Sequence, residues 1–282
     1  MRQDPGGGGI NVARGLHRLG TDVLALFPAG GYHGALLCSL LEKENVPSLA
    51  INSSVPVREN WTIFTEQSPN QYRFVMPGPS LNEDEWNRCL VALEKLSGIE
   101  YIVVSGSMPP DFPENIFERI GVIAKKKNAR LLVDTSGDAL RLALEEELYM
   151  IKPSLGEMES LIRSLGIVGK SVTEAAKEMI SLGFTALVFI SKGAEGAVLV
   201  SAESIHEITP PKVSQSGTIG AGDSLVAGFI YALTQNYDLH SAAEFAVACG
   251  AATTMSQGTA LFQPEDARKL YESMKKDQLI SS

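Results

Sequence analysis

Short β-prone runs alternate with helix-patterned stretches along almost the whole 282-residue chain, and that alternation leaves few folds open. Strands separated by helices pair in parallel, and the helices between them cover the faces of the sheet. Ala13, Leu16 and Leu19 fall at near-helical spacing after Gly6-Gly7-Gly8-Gly9, with Gly20 as the stop. Val23–Phe27 reads as a strand, and His33–Glu44 as a helix with Leu36, Leu37, Leu40 and Leu41 on one face. Further on, helices are expected at Leu81–Leu96, Pro113–Lys126 and Val172–Leu182, and strands at Tyr101–Ser105, Leu131–Asp134, Tyr149–Lys152 and Ala186–Ser191. A helix follows Lys152. Gly196–Val200 and Ser204–Ile208 read as an antiparallel hairpin at one sheet edge. Three helices, Gly222–Leu233, Leu239–Ser256 and Pro264–Met274, close the chain.

The rhythm breaks once, around residues 48–79. Trp61–Thr65 and Tyr72–Val75 are β-prone runs separated by the turn signal Ser68-Pro69-Asn70, with no helix between them. They read as an antiparallel hairpin standing off the main sheet, a candidate lid. Residues 1–282 are otherwise one α/β domain without repeats or long linkers.

Hydrophobic residues make up 44% of the chain and charged residues 20%, enough apolar content for a real core. The net charge of −9 argues against a nucleic-acid surface, which is basic overall or in patches. Cys38, Cys89 and Cys249 are odd in number and show no C-x-x-C spacing, so no zinc site or disulfide framework is indicated and a reducing cytoplasm suits them. No apolar run is long enough to span a bilayer, and Met1–Pro5 lacks the apolar stretch of a signal peptide.

Chemistry concentrates in Thr218-Ile219-Gly220-Ala221-Gly222-Asp223-Ser224, between the edge hairpin and an apolar helix. Small residues let the backbone approach a ligand, and a helix start offers unpaired N–H groups and a positive dipole end. Together these make an anion site, with a carboxylate beside it able to take a proton from an attacking hydroxyl. Alone, G-A-G-D also suits a plain turn before a helix that favours an acidic first residue.

The rest of the chain supplies the context. Gly6–Arg14, G-G-G-G-I-N-V-A-R, resembles the N-terminal signature of the ribokinase-like, pfkB-type sugar kinases, and Thr218–Ser224 resembles their C-terminal signature. Gln71–Gly78 and Ser105–Pro110 are most similar to the group of minor bacterial 6-phosphofructokinases, 1-phosphofructokinases and tagatose-6-phosphate kinases. The resemblance implies a three-layer α/β/α sandwich with a mostly parallel sheet and a small β lid. It implies ATP-dependent phosphorylation of a sugar phosphate, fructose 6-phosphate first, with fructose 1-phosphate or tagatose 6-phosphate as alternatives. A catalytically silent sugar-phosphate or nucleotide sensor is the reading from another class. A dinucleotide-binding oxidoreductase is disfavoured, because Gly6–Gly9 lacks the preceding strand and the spaced G-x-G-x-x-G.

By the same resemblance Asp223 is the general base, and the N–H groups of Gly220, Ala221 and Gly222 form the hole for the transferring phosphoryl group. Gly7, Gly8 and Asn11 hold the sugar. Arg58, Arg73 and Ser107 are candidates for its phosphate; a lone Arg on a strand and a Ser in a turn also suit solvent. Lys152, Ser191, Gly193, Gly222, Ala252, Met255 and Gln257 fall to the nucleotide, although Met255 suits a core equally well. Glu157 matches the family's K-P-N-x-x-E segment and would organise Mg2+ through water, with Ser154 where the family has Asn. A monovalent cation, K+, is implied near Gly217–Ile219 and Ala251–Ala260, and a homodimer through the lid strands.

Family members carry roughly thirty residues before the Gly-rich signature, the size of a strand-plus-turn unit. Those residues supply a first strand, part of the lid and a sugar-binding Asp. Here Gly6 lies almost at the start, and Asp4 is too near the glycines to replace that Asp. The expectation is an unpaired sheet edge and a 282-residue form with weak or no kinase activity.

Overall fold

A computed structural model describes residues 2–64, 71–109 and 111–281. Ser68-Pro69-Asn70 and Pro110 lie outside the described residues. Helix α1 (Gly8–Leu19) leads to β1 (Ala25–Ala29), α2 (Gly31–Lys43) and β2 (Ser48–Asn52). The antiparallel pair β3 (Asn60–Phe64) and β4 (Gln71–Val75) follows, then α3 (Glu83–Lys95), β5 (Tyr101–Ser105), α4 (Ile116–Lys127) and β6 (Arg130–Asp134). Next come α5 (Gly137–Ala143), β7 (Leu148–Ile151), α6 (Leu155–Ser164), α7 (Val172–Ser181) and β8 (Thr185–Ser191). The chain ends with β9 (Ala197–Val200), β10 (Ile205–Ile208), α8 (Ala221–Thr234), α9 (Leu239–Met255) and α10 (Pro264–Ser281).

Among the described residues six strands form the main sheet in the order β10-β9-β8-β7-β6-β5. The pairs among β5 to β8 are parallel, and β9 and β10 run antiparallel at one edge, where the sequence places a hairpin. Alternation of side chains explains why both faces are apolar. Leu187 and Phe189 of β8 enter a core beneath α1, α8, α9 and α10, whereas Val188 and Ile190 point into a second core under α3 to α7. The result is three layers, helices on each side of a mostly parallel sheet.

Strand β2 corrects the expected lid boundary. Residues 48–52 pair in parallel with β1, Ala25 opposite Ser48, and so belong to the α/β body, while the excursion proper is the β3–β4 hairpin. Among the described residues the β1–β2 pair is separate from the six-stranded sheet. Among the described residues no strand hydrogen-bonds to the other edges of β1 and β5. Helix α1 packs on both pieces and spans the division.

Local chemistry sets the ends of several elements. Asn82, Ser154 and Ser171 each cap a helix and are answered by Glu85, Glu157 and Glu174 in reciprocal capping boxes. Glu85 does more: it is buried and also accepts from Ser54 N–H at 2.6 Å, Ser54 Oγ at 2.8 Å and Ser53 Oγ at 3.1 Å. These donors hold its carboxyl down at about 2. The bonds fasten α3 to the segment leading from β2 to the hairpin.

Candidate active site

Two close contacts at glycines and one left-handed glycine assemble the site. A Cβ on Gly15 would lie 2.7 Å from that of Ala227, so α1 and α8 cross closely. A Cβ on Gly8 would lie 2.7 Å from Gly106 N and 2.5 Å from Ser105 Oγ, so the start of α1 abuts the end of β5. Gly220, the residue before α8, has φ of 78°, a left-handed conformation that favours glycine. In consequence, residues from α1 and α8, far apart in sequence, meet at one point.

That meeting is a hydrogen bond from Asn11 Nδ2 to Asp223 Oδ2 at 2.8 Å. Asp223 stands in the first turn of α8, whose first internal bond runs from Ser224 N–H to Gly220 O at 2.8 Å. The N–H groups just before Ser224 are those a helix leaves without an internal partner. Ala221 N–H turns back to Thr218 O at 3.3 Å, which weakens its expected part in the anion hole relative to Gly222. Burial raises the Asp223 carboxyl to about 6, assisted by the negative charge of Asp134. The Asn11 bond and the charges of Lys152 and Arg73 work the other way. A carboxylate poised there is mostly ionised at neutral pH and basic enough to accept a proton.

Lys152 is buried and pairs with Asp134 Oδ1 at 3.1 Å. A Cβ on Gly222 would lie 3.4 Å from its Nζ, so the ammonium stands beside the proposed phosphoryl cradle. Asp134, at the end of β6, is the site residue that sequence reasoning missed. Burial raises its carboxyl, Lys152 counters this, and the Glu157 charge and a bond from Ser105 Oγ at 3.3 Å also act on it. An acidic residue ending an apolar strand, LLVD, was the available signal.

The substrate-side residues converge as well. Arg58 Nη2 donates to Ser107 Oγ at 2.6 Å, joining the segment before the hairpin to the turn after β5. Arg73 lies on β4, and its charge reaches Asp223. Gly7 is the N-cap position of α1 and accepts from Asn11 N–H at 2.8 Å. Asp4, set aside on sequence, instead accepts from Thr259 Oγ1 at 2.6 Å.

On the nucleotide side, Ser191 N–H donates to Pro153 O at 3.0 Å, and Gly193 is exposed in the short turn beyond it. Met255 and Gln257 are exposed, so the core alternative for Met255 fails. Ala252 does not fit its expected place: it is 1% exposed, packed in the core beneath α8 and α9, with no surface to offer adenine. Glu157 Oε2 accepts from Ser154 N–H at 2.7 Å, and Ser154 serves as the cap of α6. No group of three or more His, Cys, Asp or Glu side chains able to hold a metal occurs among the described residues. Ser216 and Gly217 N–H both donate to Thr254 O, at 2.7 and 3.2 Å, which joins the two segments named for a monovalent cation.

The sequence profile of the pfkB family carbohydrate kinases matches residues 1–266. The chain belongs to this family. It is therefore a carbohydrate kinase, a phosphotransferase, and its three-layer architecture is ribokinase-like. It is 38% identical over 269 residues to the ATP-dependent 6-phosphofructokinase isozyme 2 of Escherichia coli (strain K12), covering 95% of this chain and 87% of that protein. The crystal structure of phosphofructokinase-2 from Escherichia coli in complex with potassium matches with a TM-score of 0.91 at 37% identity, over 96% of this chain and 88% of that one. A ribokinase from Thermotoga maritima, 21% identical, matches with a TM-score of 0.75 over 95% of this chain and 87% of its own, and shows the fold alone.

Proposed function

We propose that this kinase transfers the terminal phosphoryl group of ATP to fructose 6-phosphate, giving fructose 1,6-bisphosphate and ADP. The observation that carries the reading is the Asp223 carboxylate, held by Asn11 at the opening of α8 and raised to about 6 by burial. Asp223 takes the proton of the attacking sugar hydroxyl as its oxygen bonds to phosphorus, and the bond to ADP breaks. The Gly222 N–H and the nearby Lys152 ammonium are the groups to stabilise the charge that builds on the phosphoryl oxygens, the dominant demand of phosphoryl transfer. The Arg58–Ser107 pair is the first-choice seat for the phosphate already on the sugar, with Arg73 as a second cation from the hairpin. Gly7 and Gly8 line the sugar side. Lys152, Ser191, Gly193, Met255 and Gln257 serve the nucleotide.

Magnesium would neutralise phosphate charge. Glu157 suits it through bound water, since one carboxylate oxygen is committed to the helix cap. The candidate K+ position lies near Gly217–Ile219 and Ala251–Ala260, which the bond from Gly217 N–H to Thr254 O joins, in keeping with the potassium complex of the Escherichia coli enzyme. The hairpin supports a homodimer. Trp61 pairs across from Phe74 and Ile63 from Tyr72, so all four share one face, and each is about half exposed. No helix of the described residues is long and apolar enough to cross a membrane, and three free cysteines suit the cytoplasm.

Coupled ATP turnover against a panel of fructose 6-phosphate, fructose 1-phosphate and tagatose 6-phosphate tests the reading. Preference for fructose 6-phosphate is expected; preference for either other acceptor overturns the assignment. A second reading, a catalytically impaired sugar-phosphate or nucleotide-binding form, is favoured by the divided sheet. Its signature is ATP and sugar-phosphate binding by calorimetry with no turnover on any acceptor.

A further inference from the structure

Arg14 directs its hydrogen bonds to Glu44, Pro5 and Asn11 rather than to Gly220–Gly222 or Asp223, yet it is almost fully buried, at 1% exposure, on the same helix as Asn11. Burying a guanidinium is unfavourable unless its donors are satisfied. Here Nε donates to Glu44 Oε2 at 2.8 Å and Nη2 to Glu44 Oε1 at 2.6 Å, a two-pronged grip that fixes the plane of the group. Nη1 donates to Pro5 O at 2.9 Å and to Asn11 Oδ1 at 3.2 Å.

The last bond has a consequence for the amide. Arginine has donors and no acceptor, so only the oxygen of Asn11 can face it. An amide with its oxygen fixed on one side must present its NH2 on the other, and on that side lies Asp223 Oδ2. Without Arg14 the amide is free to turn when Asp223 takes a proton, and its oxygen then accepts from the protonated acid and stabilises it. We propose that Arg14, clamped by Glu44, is a positioning residue that fixes the polarity of the Asn11 amide, so that Asn11 always donates to Asp223. This inference rests on the reading of Asp223 as the base.

The donated bond favours the ionised carboxylate, and losing it makes protonation easier. The other charges facing Asp223, namely Asp134 at the end of β6, Lys152 just after β7 and Arg73 on β4, are not among the hydrogen-bond partners of Arg14. Arg14→Leu should therefore move the acid limb of kcat upward by about one pH unit. At pH 6 turnover falls roughly fivefold beyond any uniform loss, and most of that extra loss recovers by pH 8.5. A purely structural role would lower kcat equally at all pH values, and that result overturns the proposal. In an Asn11→Ala background, Arg14→Leu should add no further shift, because Arg14 acts through the amide. A shift that persists there also overturns it.

Should Arg14→Leu fail to fold, Glu44→Gln loosens the clamp while keeping its shape, and a smaller shift of the same sign is expected; no shift counts against the proposal. Asp223→Asn separates the two readings. If Asp223→Asn retains turnover within a few-fold, the base assignment fails. The carboxyl carbon titration of Asp223, assigned by its loss in Asp223→Asn and followed by NMR, then still decides whether Arg14 sets the amide. An upward shift in Arg14→Leu supports it, and an unchanged titration refutes it.

Discussion

Replacing Glu85 with glutamine tests whether one buried carboxylate fastens the lid-bearing segment to the body. The charged group receives Ser53 Oγ, Ser54 N–H and Ser54 Oγ on one oxygen and Asn82 N–H on the other. Glutamine keeps the shape but offers one acceptor oxygen and one donor group. Either orientation sets an NH2 against at least one backbone N–H that needs an acceptor. A buried donor left unsatisfied costs about 1–3 kcal/mol, and bonds to charge are worth about twice neutral ones. A loss of roughly 3 kcal/mol follows, or about 5–10 °C in melting temperature for a chain of this size.

Thermal unfolding at a series of pH values checks the cause. Glu85 is held at about 2 in the folded protein, below its ordinary range. Its contribution is therefore complete above the unfolded value near ~4.3 and is lost as pH falls toward the folded value. The gap between wild type and Glu85→Gln should be widest at pH 7 and narrow below about pH 4. A melting temperature within about 1 °C of wild type at pH 7 would refute the reasoning, as would a gap that does not change with pH. Because Ser53 and Ser54 lead into the hairpin, the sugar-phosphate KM should rise in the same variant while the ATP KM holds.

Asp223→Asn should lower kcat by about 10²- to 10⁴-fold while ATP binding, read by calorimetry, stays near wild type. Wild-type kcat should show an acid limb near pH 6, with turnover at pH 5 about a tenth of its plateau, because burial raises the Asp223 carboxyl to about 6. Arg58→Ala should raise the sugar-phosphate KM at least tenfold with little change for ATP; a change confined to the ATP KM would remove Arg58 from the phosphate seat. Ile63→Asp, on the apolar face of the hairpin, should shift sedimentation toward monomer without unfolding the body, and an unchanged oligomer would place the interface elsewhere.

Most of the fold is legible in the sequence because apolar periodicity marks each element. β5 is read residue for residue, and Val172–Leu182 and Leu239–Ser256 to within one residue. β1 is shifted by two residues, since Val23 and Leu24 are as apolar as the strand and only its pairing with β2 fixes the register. β2 and α5 escape notice for different reasons. Ser48–Asn52 is only five residues with polar ends, and only alternate residues face inward, while α5 is a seven-residue helix. At the candidate site, the proposed cradle and Asp223 stand out through glycine spacing. The partnership of Asp223 with Asn11 spans 212 positions and depends on how α1 and α8 cross, which local pattern does not encode. Ala252 illustrates the opposite error: an apolar position near a ligand site can face either way, and here it faces the core.

The β1–β2 pair shares no ladder with the main sheet among the described residues, so its amides can exchange with solvent through a local opening that leaves the six strands intact. Deuterium uptake should reach Leu26 and Leu49 well before Leu132 or Val188. Helix α1, which carries Asn11, packs against strands of both pieces. If the two strands open, α1 is the element through which that motion would reach the Asn11 amide and its carboxylate.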